Sequence, residues 1–307
     1  MQKPVLAVLG PTASGKTALA IEIARRFGGE IVNCDSRQVY RGMQIGTASP
    51  SSEERQQVPH HLFNFLSPAE NFSAADYALK AAEACREIWN RRKIPLLTGG
   101  TGFYYAAIAE GLGDAGQNLQ RAEELREMLE ARGLEYMVGM LQQLDPAAAA
   151  GIDTNNSRRV LRAIEIVETT GKPYAENRPV SLLPEAIFFP VVATRPREDL
   201  HRSIALRVDK MIADGLEAEV RQLVSEFGQQ APGLNSIGYQ EWFANFNGEI
   251  TLAQVKELII IHTRQYAKRQ ETWFRRRPGV APTDIGSQHD SAAIFQQIAA
   301  FVGRFAL

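Results

Sequence analysis

An octapeptide near the start of the chain, Gly10-Pro11-Thr12-Ala13-Ser14-Gly15-Lys16-Thr17, restricts the available folds more than any other segment. It satisfies G-x-x-x-x-G-K-[ST] in full, follows the apolar run at residues 5–9, and opens a stretch of helical periodicity at 16–27. Glycines in such a loop let backbone N–H groups converge on phosphate oxygens, and the following helix N-terminus adds its positive end. Lys16 supplies a mobile cation, and the Thr17 hydroxyl suits Mg²⁺. A chance match in a glycine-rich turn is the competing reading, and the strand before and the helix after weigh against it.

The rest of the first hundred residues fits a parallel α/β sheet. Residues 30–35 and 94–98 read as further buried strands, with helix-period apolar residues at 74–92 between them. Strand–helix alternation of this kind implies βαβ units with helices on both faces. From about residue 113 the texture changes. Residues 119–170 are rich in Ala, Leu, Glu, Gln and Arg and read as several short helices, punctuated by Pro146 and by the 151–156 stretch. A β-rich run at 187–194 then returns to the sheet, followed by long helices at 197–227, 236–246 and 252–275. The expected organisation is therefore a P-loop NTPase-like parallel sheet core at 1–113, an all-helical insertion at 114–186, and a return to the core at 187–307 with a basic C-terminal helix.

A P-loop alone specifies phosphate, not ATP hydrolysis. The strand at 94–98 ends in Gly99-Gly100-Thr101-Gly102, without the carboxylate by which ATPases hold Mg²⁺. The acid stands elsewhere: Asp35 ends the second strand. The C-terminal ends of parallel strands border the ligand crevice, so Asp35, Thr101 and the P-loop are expected around one pocket. Taken alone, Asp35 serves equally well as a helix N-cap, and the Gly99-Gly100 pair as tight strand–helix packing.

Six basic residues, Arg264, Lys268, Arg269, Arg275, Arg276 and Arg277, are opposed only by Glu271. Arg264, Lys268 and Arg275 share a helix face, while Val255, Ile259, His262, Tyr266 and Trp273 follow heptad-like spacing on another. With Arg158, Arg159 and Arg162 in the insertion, two basic patches point to a nucleic-acid substrate. The net charge of −1 makes this a matter of local patches. His60 and His61 have no further ligands nearby and read as packing or backbone-bonding residues. Cys34 and Cys85 match no metal-ligand spacing and read as reduced, buried thiols. The apolar run at 258–261 is too short to span a bilayer, and with no export signal at the N-terminus the expectation is a cytoplasmic monomer without a membrane partner.

Taken together, these segments resemble the tRNA dimethylallyltransferases. The resemblance runs through the P-loop, Asp35-Ser36-Arg37-Gln38-Val39-Tyr40-Arg41-Gly42-Met43, Ile45-Gly46-Thr47-Ala48, Val58-Pro59-His60-His61-Leu62 and Gly99-Gly100-Thr101-Gly102. It continues through residues 159–166, Thr170-Gly171-Lys172-Pro173, Arg207-Val208-Asp209-Lys210-Met211, Ile237-Gly238-Tyr239, Thr263-Arg264-Gln265-Tyr266-Ala267-Lys268-Arg269-Gln270 and Thr272-Trp273. Four departures stand out: Gln44 where the family more often has Asp, Ser49 for Lys, Phe103 for Leu, and a 113–120 segment without the common Pro and Asp-Pro elements.

The resemblance implies transfer of a dimethylallyl group from dimethylallyl diphosphate to N6 of adenosine 37, beside the tRNA anticodon. It implies that Gly10 to Thr17 cradle the diphosphate, that Thr17 ligates Mg²⁺, and that Lys16 and Arg207 stabilise the leaving group. Asp35 is then the base for the amine, and Thr101 contacts the diphosphate or bridging oxygen. The implied grip on the anticodon stem-loop comes from four segments. These are Asp35, Ser36, Arg37 and Gln38; Arg158, Arg159, Val160, Leu161 and Arg162; Asn235, Ser236, Ile237, Gly238, Tyr239 and Gln240; and Lys268, Arg269, Gln270, Glu271, Thr272, Trp273, Phe274 and Arg275. The alternatives are an adenylate isopentenyltransferase acting on a free nucleotide, a P-loop small-molecule kinase and a non-catalytic RNA-binding module.

Overall fold

Strand β1 (Lys3–Leu9) is apolar after its first residue and buried on both faces, so it belongs in the middle of a sheet covered on both sides. In the computed structural model, which describes residues 2–113, 118–277, 282–285 and 288–305, that is where it lies. The chain continues through α1 (Lys16–Phe27), β2 (Gly29–Asn33), α2 (Ser52–Gln57), β3 (His60–His61), α3 (Ala74–Asn90), β4 (Ile94–Gly99) and α4 (Gly102–Ala109). Then come β5 (Leu112–Gly113), α5 (Leu119–Leu144), α6 (Pro146–Gly151), α7 (Ser157–Thr170) and β6 (Pro179–Val180). The chain closes with β7 (Ala186–Thr194), α8 (Arg197–Ala213), α9 (Leu216–Phe227), α10 (Glu241–Phe246), α11 (Leu252–Arg275), β8 (Pro282–Asp284) and α12 (Gln288–Val302).

Two compact units result, residues 1–109 with 182–307, and residues 110–181. The first holds a six-stranded sheet in the order β3-β2-β4-β1-β7-β8, every neighbouring pair parallel. Alternate β1 residues serve the two faces. Val5 and Ala7 meet Tyr77, Cys85 and Ile88 of α3 and Tyr104 of α4, while Leu6 and Val8 meet Leu19 and Ile23 of α1 and Ile294 and Ile298 of α12. A third core gathers Val208, Met211, Val220, Leu223, Trp242, Val255 and Ile259 from α8 to α11 around Val39 and Met43. The two cysteines are buried free thiols.

The second unit is helical apart from β5 and β6, the segments by which the chain enters and leaves, which pair antiparallel with Gly113 opposite Pro179. Its core is built from Leu125, Met137, Leu141, Val160 and Ile164. The 26 residues of α5 are two shorter helices meeting at a kink, because Gly133 takes the non-helical φ 79° and ψ 169°, in keeping with the short helices read from the sequence. The unusual 113–120 segment lies outside the described residues at 114–117.

Other differences have local causes. The expected helix at 197–227 is two, because Gly215 takes φ 97° between α8 and α9. The one expected at 236–246 begins only at Glu241, since Gly238 takes φ 95°. β3, β8 and α12 were not expected. His60 and His61 pair with Ile31 and Val32 of β2. His60 Nδ1 donates to the Val58 carbonyl at 2.8 Å, and His61 Nε2 lies 2.7 Å from the buried Glu30 carboxylate.

Candidate active site

The first unit brings three chain segments to the C-terminal ends of β1, β2 and β4, as parallel-sheet geometry requires. The P-loop leaves β1 and wraps the start of α1. Lys16 Nζ folds back to donate to the Pro11 carbonyl at 3.1 Å, and the fully buried Ser14 hydroxyl finds no protein partner among the described residues. A buried hydroxyl donor and an inward-turned lysine form an anion site by their chemistry.

Asp35 follows β2 by two residues. Asn33 fixes it there: its side-chain oxygen accepts the Asp35 N–H at 2.9 Å, and its amide donates to the Asp35 and Leu62 carbonyls at 3.0 Å each. The carboxylate accepts the Arg37 N–H at 2.9 Å, closing a turn rather than capping an α-helix. It also lines a cleft. Thr101 reaches the same turn from β4, its Oγ1 accepting the Ser36 N–H at 2.9 Å and donating to the Ser36 hydroxyl at 3.2 Å.

The cleft measures about 310 Å³ and is lined by Thr12, Asp35, Ser36, Arg37 and Arg207, by residues of the 235–240 turn, and by Tyr266 and Arg269. Val208, Met211 and Ile259 form an apolar wall. Polar groups that bind an anion thus face a carboxylate across a space with one greasy side. Thr17, Arg207 and Met211 also line an adjoining cleft of about 710 Å³.

Electrostatics tie the site together. Burial, then the neighbouring Arg207 charge, lowers the Lys16 ammonium to about 8, with Asp35 pulling the other way. Burial also works against the Arg207 charge, and Asp35 partly offsets it. Arg207 Nη1 donates to the Thr12 hydroxyl at 3.0 Å. The Tyr266 phenol is pushed up to about 12, by burial first and the Asp35 carboxylate second, so it keeps its proton at neutral pH.

Two supporting residues were not recognisable as such in the sequence. Gln270 is 5% exposed; its carbonyl oxygen accepts the Thr12 N–H at 2.9 Å and its amide donates to the Gly100 carbonyl at 2.8 Å. A Cβ at Gly100 would collide with that amide, so glycine is required. Glu219 of α9 accepts three consecutive N–H groups, of Gln44, Ile45 and Gly46, at 2.9–3.0 Å, and the Tyr239 hydroxyl at 2.7 Å. It thereby holds the loop whose Gly46 and Thr47 line the cleft.

The structure sorts the residues implied to bind RNA. Asp35, Ser36, Arg37, Asn235, Ser236, Ile237, Gly238, Gln240 and Arg269 face the cleft. Gln38 instead donates to the Thr47 and Ala48 carbonyls, and Tyr239, Gln270 and Phe274 are buried. The buried stripe of α11 is Val255, Ile259, Ala267, Gln270 and Phe274, with Tyr266 and Trp273 on its border. Lys268, Glu271, Thr272 and Arg275 line a separate groove of about 600 Å³, shared with Arg264 and, at the start of α8, Arg195, Arg197 and His201. In the second unit, Arg158 and Arg159 are exposed on α7, Val160 is buried, and Arg162 pairs with Glu165 at 2.8 Å.

Comparison with known proteins places this geometry. The family model described as IPP transferase matches residues 38–277, and one described as Isopentenyl transferase matches residues 3–64. A tRNA dimethylallyltransferase of Geobacter metallireducens is 44% identical over 292 residues, covering 92% of this chain and 93% of that protein. One from a Roseiflexus species is 42% identical, covering 96% and 98%. Among solved structures, the tRNA isopentenylpyrophosphate transferase of Bacillus halodurans aligns over 99% of this chain and 98% of its own, at 35% identity and TM-score 0.72. A eukaryotic dimethylallyltransferase described as acting on tRNA aligns over all of this chain and 81% of its own, at 26% identity and TM-score 0.81.

Proposed function

The chain belongs to the IPP transferase family, and from that premise we propose that it transfers a dimethylallyl group from dimethylallyl diphosphate to N6 of adenosine 37 in tRNA, releasing diphosphate. The observation that carries this reading is the cleft in which Asp35, Arg207 and the P-loop Thr12 face one another beside an apolar wall. The P-loop and Arg207 suit a diphosphate, the apolar wall suits a branched five-carbon chain, and the carboxylate suits an acceptor amine that must lose a proton.

The site's residues support a chemical step in which the N6–carbon bond forms as the carbon–oxygen bond to diphosphate breaks. The P-loop amides, Lys16 and Arg207 take up the charge that develops on the departing diphosphate. Asp35 receives the proton lost by N6, a general-base contribution of roughly 10²–10⁴-fold. Thr101 holds the turn in which that carboxylate sits, and Tyr266, hydrogen-bonded to Thr101, lies within reach of its charge. The adenine enters only if turned out of its loop, at a cost of a few kcal/mol.

Mg²⁺ fits the donor set. Thr17, at the end of the P-loop, lines the adjoining cleft, and Mg²⁺ is commonly held by few protein oxygens, with substrate phosphates and water completing its shell. Thr17 would hold it, and the ion would neutralise diphosphate charge. Among the described residues no helix is long and apolar enough to cross a membrane.

The test is transfer of radiolabelled dimethylallyl diphosphate to unmodified tRNA, with AMP as competing acceptor and Asp35→Asn as the variant. Label in tRNA but not AMP, reduced about 10²–10⁴-fold by Asp35→Asn, is the expected result. Label in AMP would move the chain to the free-nucleotide reaction, and label in neither would overturn prenyl transfer.

A further inference from the structure

Aromatic and cationic side chains alternate from the cleft to just past the C-terminal end of α11. Tyr266 and Arg269 line the cleft with Asp35, the Arg269 guanidinium 5.7 Å from the Tyr266 ring. Two turns further on, the Arg277 guanidinium stands 4.2 Å over the Trp273 ring. Seven residues separate Tyr266 from Trp273, so the stripe reaches about 10 Å along the helix axis. Phe103 stands at its end. It is 64% exposed, and its ring centroid lies 6.3 Å from that of Trp273 at an interplanar angle of 54°.

Phe103 is part of the turn that carries the chemistry. It follows Thr101 by two positions, and a Cβ on the intervening Gly102 would collide with the Trp273 indole, so the turn is pressed against that ring. Its neighbours Tyr104 and Tyr105 are buried. The first turn of α4 therefore sends two aromatics inward and one outward.

The geometry points to Phe103, backed by Trp273, as a stacking platform for the RNA base next to the adenosine that enters the cleft. Turning one base out deprives its neighbours of a stacking partner, and an exposed aromatic face supplies a replacement that tolerates any base. The surrounding charge matches an RNA occupant: Lys268, Arg269, Arg275 and Arg276 are all exposed along the same stretch of chain. The inference rests on the reading that this chain acts on RNA. It makes Phe103 a specificity-determining contact that reads an unstacked loop conformation rather than a base sequence.

The experiment uses the full chain and an RNA stem-loop carrying 2-aminopurine, in separate molecules, on either side of the target adenosine. One flanking probe is expected to be quenched on binding to the unaltered protein and to Phe103→Tyr. Phe103→Ala and Phe103→Leu should abolish the quenching and weaken Kd roughly 5- to 150-fold, the loss expected from one base–aromatic stack. Their thermal midpoints and their KM for dimethylallyl diphosphate should stay unchanged. Phe103→Leu binding as tightly as the unaltered protein, or quenching that persists in Phe103→Ala, overturns the proposal. Prenyl transfer measured on the same samples separates the two readings: quenching without transfer sinks the reaction and leaves the platform, and transfer indifferent to residue 103 does the reverse. Quenching absent everywhere, with Kd sensitive to residue 103, would assign the ring to another contact and also overturns it.

Discussion

Lys16 concentrates the site's electrostatics in one titration. On the proposed reaction its charge meets the arriving diphosphate, yet burial and Arg207 have lowered it to about 8. A lysine depressed in this way loses its proton as pH rises through that value. Because kcat/KM reports the free enzyme, kcat/KM for dimethylallyl diphosphate should decline above pH about 8, by at most tenfold per pH unit. Bound diphosphate favours the ammonium, so kcat should hold to higher pH. Lys16→Arg, charged throughout, should be slower at pH 7 but lose the alkaline decline, and a pH–rate series on both proteins checks this. Lys16, Asp35 and Thr101 were legible because each sits in a motif or at a strand end. Tyr266 was legible only as packing: a tyrosine at heptad spacing carries no sign of whether its hydroxyl faces core or cleft.

At the level of elements, α11 does two jobs on two faces. Its exposed side carries Lys268, Thr272 and Arg275, while Gln270 passes beneath to join the P-loop to the second glycine turn. Gln270→Met should leave the Thr12 N–H and Gly100 carbonyl without partners, at about 1–3 kcal/mol each, seen as a lower midpoint in urea unfolding. Gln270→Glu should weaken inorganic pyrophosphate binding further than Gln270→Met does, because it sets a carboxylate against the phosphate loop. Equal pyrophosphate affinities in the two variants would contradict this. The sequence hid this residue inside a basic run, where a glutamine reads as one more RNA contact. Glu219 was hidden for the opposite reason, as an acid on an amphipathic helix that looks like any solvated position. The short strands β3 and β8 were illegible too. His60–His61 and Pro282–Asp284 have no apolar run, and they pair because strands already in the sheet offer them an edge.

For the molecule as a whole, the parallel sheet and the position of the crevice followed from strand–helix alternation and the P-loop, whereas the order of the strands did not. The second unit was visible as a change in texture, and its helices stay short because Gly133 breaks the longest stretch. On the proposed reaction its exposed Arg158 and Arg159 would bear on RNA affinity rather than chemistry. Replacing both by Ala should raise KM for tRNA and leave KM for dimethylallyl diphosphate unchanged. It should also flatten the dependence of log KM on log salt, by roughly 0.7–0.9 for every phosphate that an arginine had neutralised. An unchanged slope would mean that neither meets phosphate.

The pairing of Gly113 with Pro179 has a consequence for how such a chain can change. A module whose first and last residues sit side by side asks its host only for a small gap in a surface loop. Its helices can then lengthen, shrink or be exchanged while the strands on either side keep their alignment. The module can thus be altered in one stretch of sequence while Asp35, Thr101 and the P-loop stay where the sheet puts them.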